Sequence, residues 1–266
     1  MKRPSLLKGA EREGADMTLA DHLRELRYRL LLCVGSVALL MIPAWFLYPW
    51  FIDILNEPYC SALISRNPEA NCDFLVTNIL DPFSLRLKVA GYGGLFLAMP
   101  VLLWQLWRFI APGLYRRERR YAIAFVGTSL VLFVLGAGVA YLTLSKAVEF
   151  LVQIGGPDID IRSGPNEFVR LSLFMMLAFG LGFEFPIVLV ALQMLGVVTP
   201  QQLSSWRRQV VLVIVVLAAA ITPSGDPFSL AALAVPMYLF YELSVLLGRL
   251  LVRRRERTPD PEGASA

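Results

Sequence analysis

Carboxylates placed among arginines are the most prominent side chains that could do chemistry in this sequence. Glu118 stands between two pairs of arginines in residues 116–120. Glu25 lies one helical turn before Arg29, and such an (i, i+4) pair stabilises a helix by about 0.2–0.5 kcal/mol. At the start of a helix the dipole also favours an acid such as Glu118. Each carboxylate can therefore be structural, or it can hold a cationic group of a ligand.

Catalytic and metal-binding sites are hard to build from the remaining side chains. His22 is the only histidine, so a Ser-His pair or a His-based metal site has no second partner. No Gly-rich phosphate loop of the Walker type occurs in the sequence. We therefore expect no enzymatic activity, a membrane protease included, no metal and no cofactor, and any energy input must come from a gradient or a partner.

The composition indicates which elements position these residues. Hydrophobic residues make up 56% of the 266-residue chain, charged residues only 17%, and the mean hydropathy is +0.59. Such a chain is too apolar for a soluble protein, and segments in lipid must be helices of roughly 20 residues. The sequence predicts an all-α polytopic membrane protein with six spans. They cover about residues 28–50, 84–108, 121–144, 169–198, 209–221 and 228–249.

Two further features of the spans predict how they pack. The fifth has about 13 apolar residues and covers roughly 20 Å, so we expect local thinning of the bilayer or snorkelling of adjacent arginines. Four spans contain a proline, which predicts kinked helices that form a cupped, concave scaffold; these are Pro43, Pro100, Pro186 and Pro236. Glycines in the second and third spans predict close helix contacts; these are Gly91, Gly93, Gly94, Gly127, Gly136 and Gly138.

Lysine and arginine predict the orientation. Most of the 25 basic residues fall at the termini and in the loops after the second and fourth spans, so the positive-inside rule places both termini in the cytoplasm. The net charge of +4 is a topology signal spread over several loops, so nucleic-acid binding is not expected. Residues 1–16 are predicted to be a mobile tail, 17–252 the membrane domain, and 253–266 a disordered cytoplasmic tail.

The three cysteines carry information about the compartment. Cys33 lies in the first span, whereas Cys60 and Cys72 both lie in the first outward loop. An oxidising space would permit a Cys60–Cys72 disulfide, which is our expectation. The alternative is two free thiols in a reducing setting, since spacing alone does not decide the pairing.

Glu184 is an acid inside the fourth span, about 22 Å from its start and so near mid-membrane. An unpaired carboxylate there costs several kcal/mol, and an intramembrane acid indicates function by default. The structural alternative is a hydrogen bond to Gln193 or to a polar group on a neighbouring helix. A proton-coupled secondary transporter for a small solute, using Glu184, is the alternative function; it predicts an internal repeat, and the sequence contains none.

Several motifs occur in order along the chain. DHLRELR occupies residues 21–27 and FIAPGLYRRERR residues 109–120, and shorter motifs are NEP at 56–58, DPF at 81–83, AFGLGFEFP at 178–186 and AVPMY at 234–238. Together they resemble the TatC family, the polytopic receptor subunit of the twin-arginine protein translocase. The resemblance extends over residues 17–252.

The resemblance implies a receptor in the prokaryotic cytoplasmic membrane that binds twin-arginine signal peptides of folded cargo and nucleates a translocon driven by the proton motive force. Glu25 and Glu118 match the family's cytoplasmic carboxylates. Leu114 matches a position on the same surface, and Arg27 a position near Glu25. A carboxylate accepts bidentate bonds from a guanidinium better than from lysine, which explains how twin arginine is read.

Further positions receive roles from the same resemblance. Glu184 is expected to face a concave groove and contact a polar residue of a partner's single helix. Four outward positions are expected to close the cup or contact partners, with turn chemistry and helix capping as the alternative; they are Pro58, Asp81, Phe83 and Asp226. The implied partners are TatA- and TatB-like single-span subunits, further copies of this chain and membrane lipid. The short fifth helix and Trp206 are expected docking positions.

Overall fold

The protein is all-α in the part of the chain that the computed structural model describes, which comprises residues 19–64, 78–110, 122–154, 165–222 and 225–256. Nine helices and no strand occur in these ranges. They are α1 Leu19–Phe46, α2 Tyr48–Ile64, α3 Asp81–Ile110, α4 Ala122–Ile154, α5 Pro165–Phe183, α6 Phe185–Met194, α7 Pro200–Ser205, α8 Arg207–Ile221 and α9 Pro227–Glu256. The predicted all-α class is confirmed.

Five helical segments in the described ranges are long and apolar enough to cross a membrane. They are Leu23–Phe46, Asp81–Phe109, Ile123–Leu151, Asn166–Met194 and Pro227–Leu250. These segments correspond to the first, second, third, fourth and sixth predicted spans. The predicted fifth span corresponds to α8, whose 15 residues rise only about 22 Å. A sixth crossing by α8 stays a prediction, because an apolar core is about 30 Å thick.

Several helix ends differ from the predicted spans. A break at Leu47 separates α1 from α2, inside the first predicted span of residues 28–50. At its far end α4 continues to Ile154, past the predicted end at residue 144. Helix α9 reaches Glu256 and so includes the first residues of the predicted C-terminal tail. The predicted N-terminal tail, residues 1–16, lies outside the described residues.

The break between α1 and α2 exposes a backbone carbonyl that a neighbouring helix bonds. Pro49 has no N–H, so the Trp45 carbonyl lacks its helical donor four residues on. Arg86 of α3 supplies the missing donors, with its Nε and Nη2 each 3.4 Å from the Trp45 oxygen. Its guanidinium carbon also lies 4.9 Å from the centroid of the Trp45 ring and 5.4 Å from that of Tyr48. Arg86 therefore fixes the angle at which α2 leaves α1.

Pro58 repeats this arrangement within α2. Its missing N–H leaves the Ile54 carbonyl without a helical donor, and the Tyr141 hydroxyl of α4 donates to that oxygen at 3.0 Å. The same hydroxyl lies 3.2 Å from Glu57 Oε2. Pro58 itself is buried. Spans α3 and α4 thus bond the two carbonyls that the prolines of α2 leave open, Trp45 at the end of α1 and Ile54 within α2.

The spans pack closely at some of the predicted glycines. A Cβ added at Gly94 of α3 would lie 2.8 Å from the Met41 nitrogen of α1, so the two backbones touch there. A Cβ at Gly136 of α4 would lie 2.6 Å from the Phe179 oxygen of α5. Gly93 also has neighbours within 3.4 Å, which include Ala44 and Phe51. The prediction of close packing is confirmed at these three glycines.

The prediction is wrong at two other glycines of α4. No atom lies within 4 Å of a Cβ added at Gly127 or Gly138, because these positions lie on faces of α4 that no described helix covers. Gly91 has only the far end of Met41 at 4.0 Å.

The main core lies where α5 and α9 meet α4. Phe179 and Leu173 of α5 and Met237 and Tyr241 of α9 are at most 2% exposed and belong to one cluster of buried side chains. The Tyr241 hydroxyl also donates to the Leu203 carbonyl of α7. By contrast, α1 packs chiefly on α3 and leaves most of its surface exposed. The cupped overall shape inferred from the prolines stays a prediction.

Candidate functional site

Glu25 is held by an arginine of its own helix, and that arginine also contacts α3. Arg29 Nε donates to Glu25 Oε1 at 3.0 Å, and Arg29 Nη2 donates to the same oxygen. Arg29 Nη1 donates to Gln105 Oε1 of α3 at 3.2 Å. The side chains of Glu25 and Arg29 are 22% and 13% exposed. The expected (i, i+4) pair is therefore present, and it is part of a bridge between two helices that the sequence did not reveal.

Of the other predicted binding residues, the structure describes only Arg27, which has no part in this bridge. Arg27 is exposed and lies two positions from Glu25, so the two side chains leave the helix on different faces. Glu118 and Leu114 lie outside the described residues, in the segment 111–121 between α3 and α4. Their place in the binding surface stays a prediction, as does the role of Arg27.

Glu184 lies at the break between α5 and α6. Pro186 is the second residue of α6 and has no N–H, and the Glu184 carbonyl accepts from the amides of Ile187 and Val188, each at 3.1 Å. The Ser129 hydroxyl of α4 lies near the carboxylate of Glu184. The Ser129 hydroxyl oxygen accepts from Trp107 Nε1 of α3 at 3.1 Å. Three spans thus meet at this acid.

One oxygen of the Glu184 carboxylate has no hydrogen-bond partner among the residues that the structure describes. Its Oε1 is buried and accepts no hydrogen bond from any residue that the structure describes. Gln193, the alternative partner proposed from the sequence, is engaged elsewhere: its Nε2 donates to the carbonyls of Leu189 at 3.3 Å and Ser244 at 3.1 Å. For the second form of the structural alternative, a polar group on a neighbouring helix, the nearby Ser129 hydroxyl is the candidate, and Oε1 has no partner among the described residues.

Comparison with known proteins places this arrangement in a family. Residues 21–236 match the family model described as Sec-independent protein translocase protein (TatC). The chain belongs to the TatC family. The TatC of Frankia casuarinae is 39% identical over 254 residues, which cover 93% of this chain and 70% of that protein. The TatC of Aquifex aeolicus is 35% identical over 243 residues, covering 90% and 98%.

A solved structure agrees in sequence and in fold. A crystal structure described as the twin-arginine translocase receptor TatC in DDM has a TM-score of 0.71 and 35% identity, and the alignment covers 85% of this chain and 99% of that one. The chain is accordingly a membrane subunit of a Sec-independent protein translocase, a family that is in general non-enzymatic. The alternative of a small-solute transporter finds no support in these comparisons.

One of the outward positions singled out by resemblance to the TatC family caps a helix, and another links two helices. Asp226 is fully buried, and its Oδ1 accepts from the Ser229 amide at 2.6 Å at the start of α9. Asp81 begins α3, and its Oδ2 accepts from the Asn78 amide at 3.0 Å. Its Oδ1 accepts from Asn166 Nδ2 of α5 at 3.0 Å. Helix capping, the alternative given with the resemblance, accounts for the contact of Asp226, whereas Asp81 bonds the segment before α3 and a side chain of α5.

The remaining outward positions have different surroundings. Phe83 is 62% exposed and turns its ring edge towards Trp45, with the centroids 6.2 Å apart.

Cys60 of α2 is disulfide-bonded, whereas Cys33 of α1 has a free thiol. Cys72, the partner predicted for Cys60, lies outside the described residues, so the pairing stays a prediction.

Helices α8 and α9 form an apolar groove that contains one charged pair near its end. Val211, Ile214 and Val215 of α8 and Val235, Tyr238 and Leu239 of α9 line the groove. Arg207 Nη2 donates to Glu242 Oε2 at 2.8 Å, and the Tyr238 hydroxyl donates to Glu242 Oε1 at 3.1 Å. The part of the chain that the structure describes contains no cluster of His, Cys, Asp or Glu suited to a metal ion.

Proposed function

We propose that this chain is the receptor for twin-arginine signal peptides in a translocon of the cytoplasmic membrane, and that Glu25 and Glu118 hold the two arginines. The observation that carries the proposal is the Glu25 carboxylate, which is partly exposed at 22% and already accepts two bonds from a guanidinium. Glu25 therefore already binds a guanidinium, which is the group that distinguishes arginine from lysine. Both bonds end on Oε1, so Oε2 is the oxygen for an incoming arginine.

The chemistry of the guanidinium supports the discrimination against lysine. A guanidinium presents five N–H donors in a planar fork, whereas an ammonium is a compact point charge, and the guanidinium is less strongly hydrated. A half-buried carboxylate therefore gains more from arginine, because less hydration is lost when the guanidinium leaves water. The arginines that flank Glu118 are one or two positions away and need not share its face.

The orientation follows from the location of the peptide. Signal peptides meet the receptor in the cytoplasm, so both termini, Glu25 and the segment 111–121 face the cytoplasm. The basic residues of the chain favour this side. Under this orientation α8 crosses as the short fifth of six spans, in a locally thinned bilayer.

The same proposal includes the partners. Glu184 offers a buried carboxylate oxygen without a partner among the described residues, and a polar side chain on a single-span subunit of the TatA or TatB type would satisfy it. The apolar groove between α8 and α9, with Trp206 47% exposed at its end, suits such a helix. Further copies of this chain join the translocon, and cargo passes with energy from the proton motive force.

The experiment measures binding of a twin-arginine signal peptide to the purified protein in nanodiscs. Peptides with two arginines and with two lysines are compared on the wild type, Glu25→Gln and Glu118→Gln. Each variant should weaken binding of the arginine peptide by about 10- to 150-fold, since one charged hydrogen-bonded contact contributes about 1.5–3 kcal/mol.

Glu149→Gln is the matched control, because Glu149 is a partly exposed carboxylate in an ion pair with Lys146 at the other end of α4. It should leave the affinity unchanged. The proposal is abandoned if the wild type binds both peptides equally, or if neither Glu25→Gln nor Glu118→Gln changes binding.

A further inference from the structure

Arg86 of α3 has a guanidinium whose hydrogen-bonding capacity is only partly used within the described part of the chain. A guanidinium carries five N–H donors on its three nitrogen atoms. The edge formed by Nε and Nη2 faces the Trp45 carbonyl, and each of these nitrogens lies 3.4 Å from that oxygen. Nη1 has no acceptor among the residues that the structure describes. Both Nη1 donors and the second Nη2 donor therefore remain, and they form another edge of the same planar fork.

The positive charge of Arg86 also lacks a negative partner among the described residues, because none of the ion pairs found there includes it. The Trp45 and Tyr48 rings, 4.9 Å and 5.4 Å from the guanidinium carbon, attract the cation but do not neutralise it. Arg86 lies inside the apolar segment Asp81–Phe109, about 7 Å from its start. A charged side chain in a membrane span is costly unless it meets an opposite charge or a polar partner.

The neighbourhood of Arg86 is accessible and apolar. Arg86 itself is only partly buried, and the nearby side chains of Phe83 and Leu87 are 62% and 48% exposed. Tryptophan and tyrosine concentrate at the level of the lipid headgroups, and Trp45 and Tyr48 lie beside the guanidinium. The acyl chains of a lipid can therefore lie along Phe83 and Leu87 while its headgroup reaches Arg86.

We propose that Arg86 binds the phosphate of a phospholipid, in the leaflet at the end of α1 that is opposite Glu25. One edge of a guanidinium matches two oxygens of a phosphate, and the bonds are charge-assisted. The Trp45 carbonyl and the two rings already hold the guanidinium, so that little side-chain freedom is lost on binding. The phosphate also supplies the missing negative charge. This site does not depend on the proposed receptor function.

The test measures lipid binding to the intact, delipidated protein in detergent by native mass spectrometry. The probes are short-chain phosphatidylglycerol and a diacylglycerol with the same acyl chains, which lacks the phosphate. The wild type should bind phosphatidylglycerol more tightly. Arg86→Gln should weaken this binding by about 10- to 150-fold, the effect of one charged hydrogen-bonded contact, and should leave diacylglycerol binding unchanged. Equal binding of both lipids to the wild type overturns the inference.

Inorganic phosphate distinguishes a lipid site from a site for a free anion. It lacks the acyl chains that contact Phe83 and Leu87, so an equal concentration of it should not displace phosphatidylglycerol. Displacement at equal concentration overturns the lipid assignment.

Two further variants separate this contact from general effects of charge and folding. Arg170→Gln removes an exposed arginine near the start of α5, which lies beside the start of α3 through the bond between Asn166 and Asp81; it should leave the affinity unchanged. Arg86→Lys keeps the charge and a donor for the Trp45 carbonyl but has no fork, so it should bind phosphatidylglycerol about tenfold more weakly. Wild-type affinity in Arg86→Lys, or an equal loss in Arg170→Gln, overturns the inference.

Discussion

Replacing Gly136 by alanine should weaken the contact between α4 and α5, whereas the same replacement at Gly138 should not. A Cβ at Gly136 would lie 2.6 Å from the Phe179 carbonyl oxygen and 2.9 Å from Phe183 Cγ. The first of these atoms belongs to the backbone and cannot move aside by a rotamer change. At Gly138 no atom lies within 4 Å of the added carbon.

The magnitude follows from the difference between the two variants. Both gain the same helix propensity, about 0.5–1 kcal/mol for alanine over glycine, so this contribution cancels. Overpacking a close contact costs about 1–3 kcal/mol. Gly136→Ala should therefore be less stable than Gly138→Ala by about 1–3 kcal/mol. The free energy of unfolding in one detergent, followed by circular dichroism, measures this difference.

The same variants have a functional consequence, since α4 carries Ser129 and the Glu184 acid follows directly after α5. Widening of this interface should move the Ser129 hydroxyl away from the carboxylate, and the proposed contact of Glu184 with a single-span partner then predicts reduced copurification. If Gly136→Ala is as stable as Gly138→Ala, the close approach of α4 and α5 at this glycine does not exist. The argument for where Glu184 lies would then fail as well.

Other parts of the fold give further expectations. Arg86→Met should lower the free energy of unfolding by about 1–3 kcal/mol. The Trp45 carbonyl would lose its donors, and the Trp45 and Tyr48 rings would lose a cation–π contact. Tyr141→Phe should lower the free energy of unfolding by about 0.5–1.5 kcal/mol through the loss of one hydrogen bond. Chemical unfolding measures the stability of both variants. Unchanged stability of either variant would contradict the role given to that side chain. In SDS without reductant, a maleimide should modify Cys33 alone, and Cys60 and Cys72 only after reduction. Three modified thiols before reduction would exclude the disulfide.

Much of the candidate site was predictable from local sequence. Glu25 and Arg29 are four residues apart, so the pair follows from helix geometry alone. The break near Glu184 follows from Pro186, which lacks an N–H. The capping role of Asp226 follows from its place just before an apolar helix. Each of these predictions needs only residues that are neighbours in the chain.

Gln105, Ser129 and Trp107 were not singled out, and no local signal identifies them. Each acts through a residue on another helix, at a distance in sequence that no periodicity encodes. A polar residue one helical turn from a membrane edge, as Gln105 is, was the nearest available signal. It is ambiguous, because such residues also simply face the lipid headgroups.

Sequence alone therefore determined the helical class, the long spans and the break at Pro186, whereas the break at Leu47 was not predicted. Hydropathy and missing N–H groups are properties of single segments, and lipid forces each apolar segment into a helix. Only the tertiary structure decided which face of each helix is covered. Lipid and protein interior are both apolar, so burial leaves no clear pattern in a membrane helix. This is why Gly136 is packed while Gly138 is open, and why a glutamine on α3 is the residue that bonds the arginine of α1.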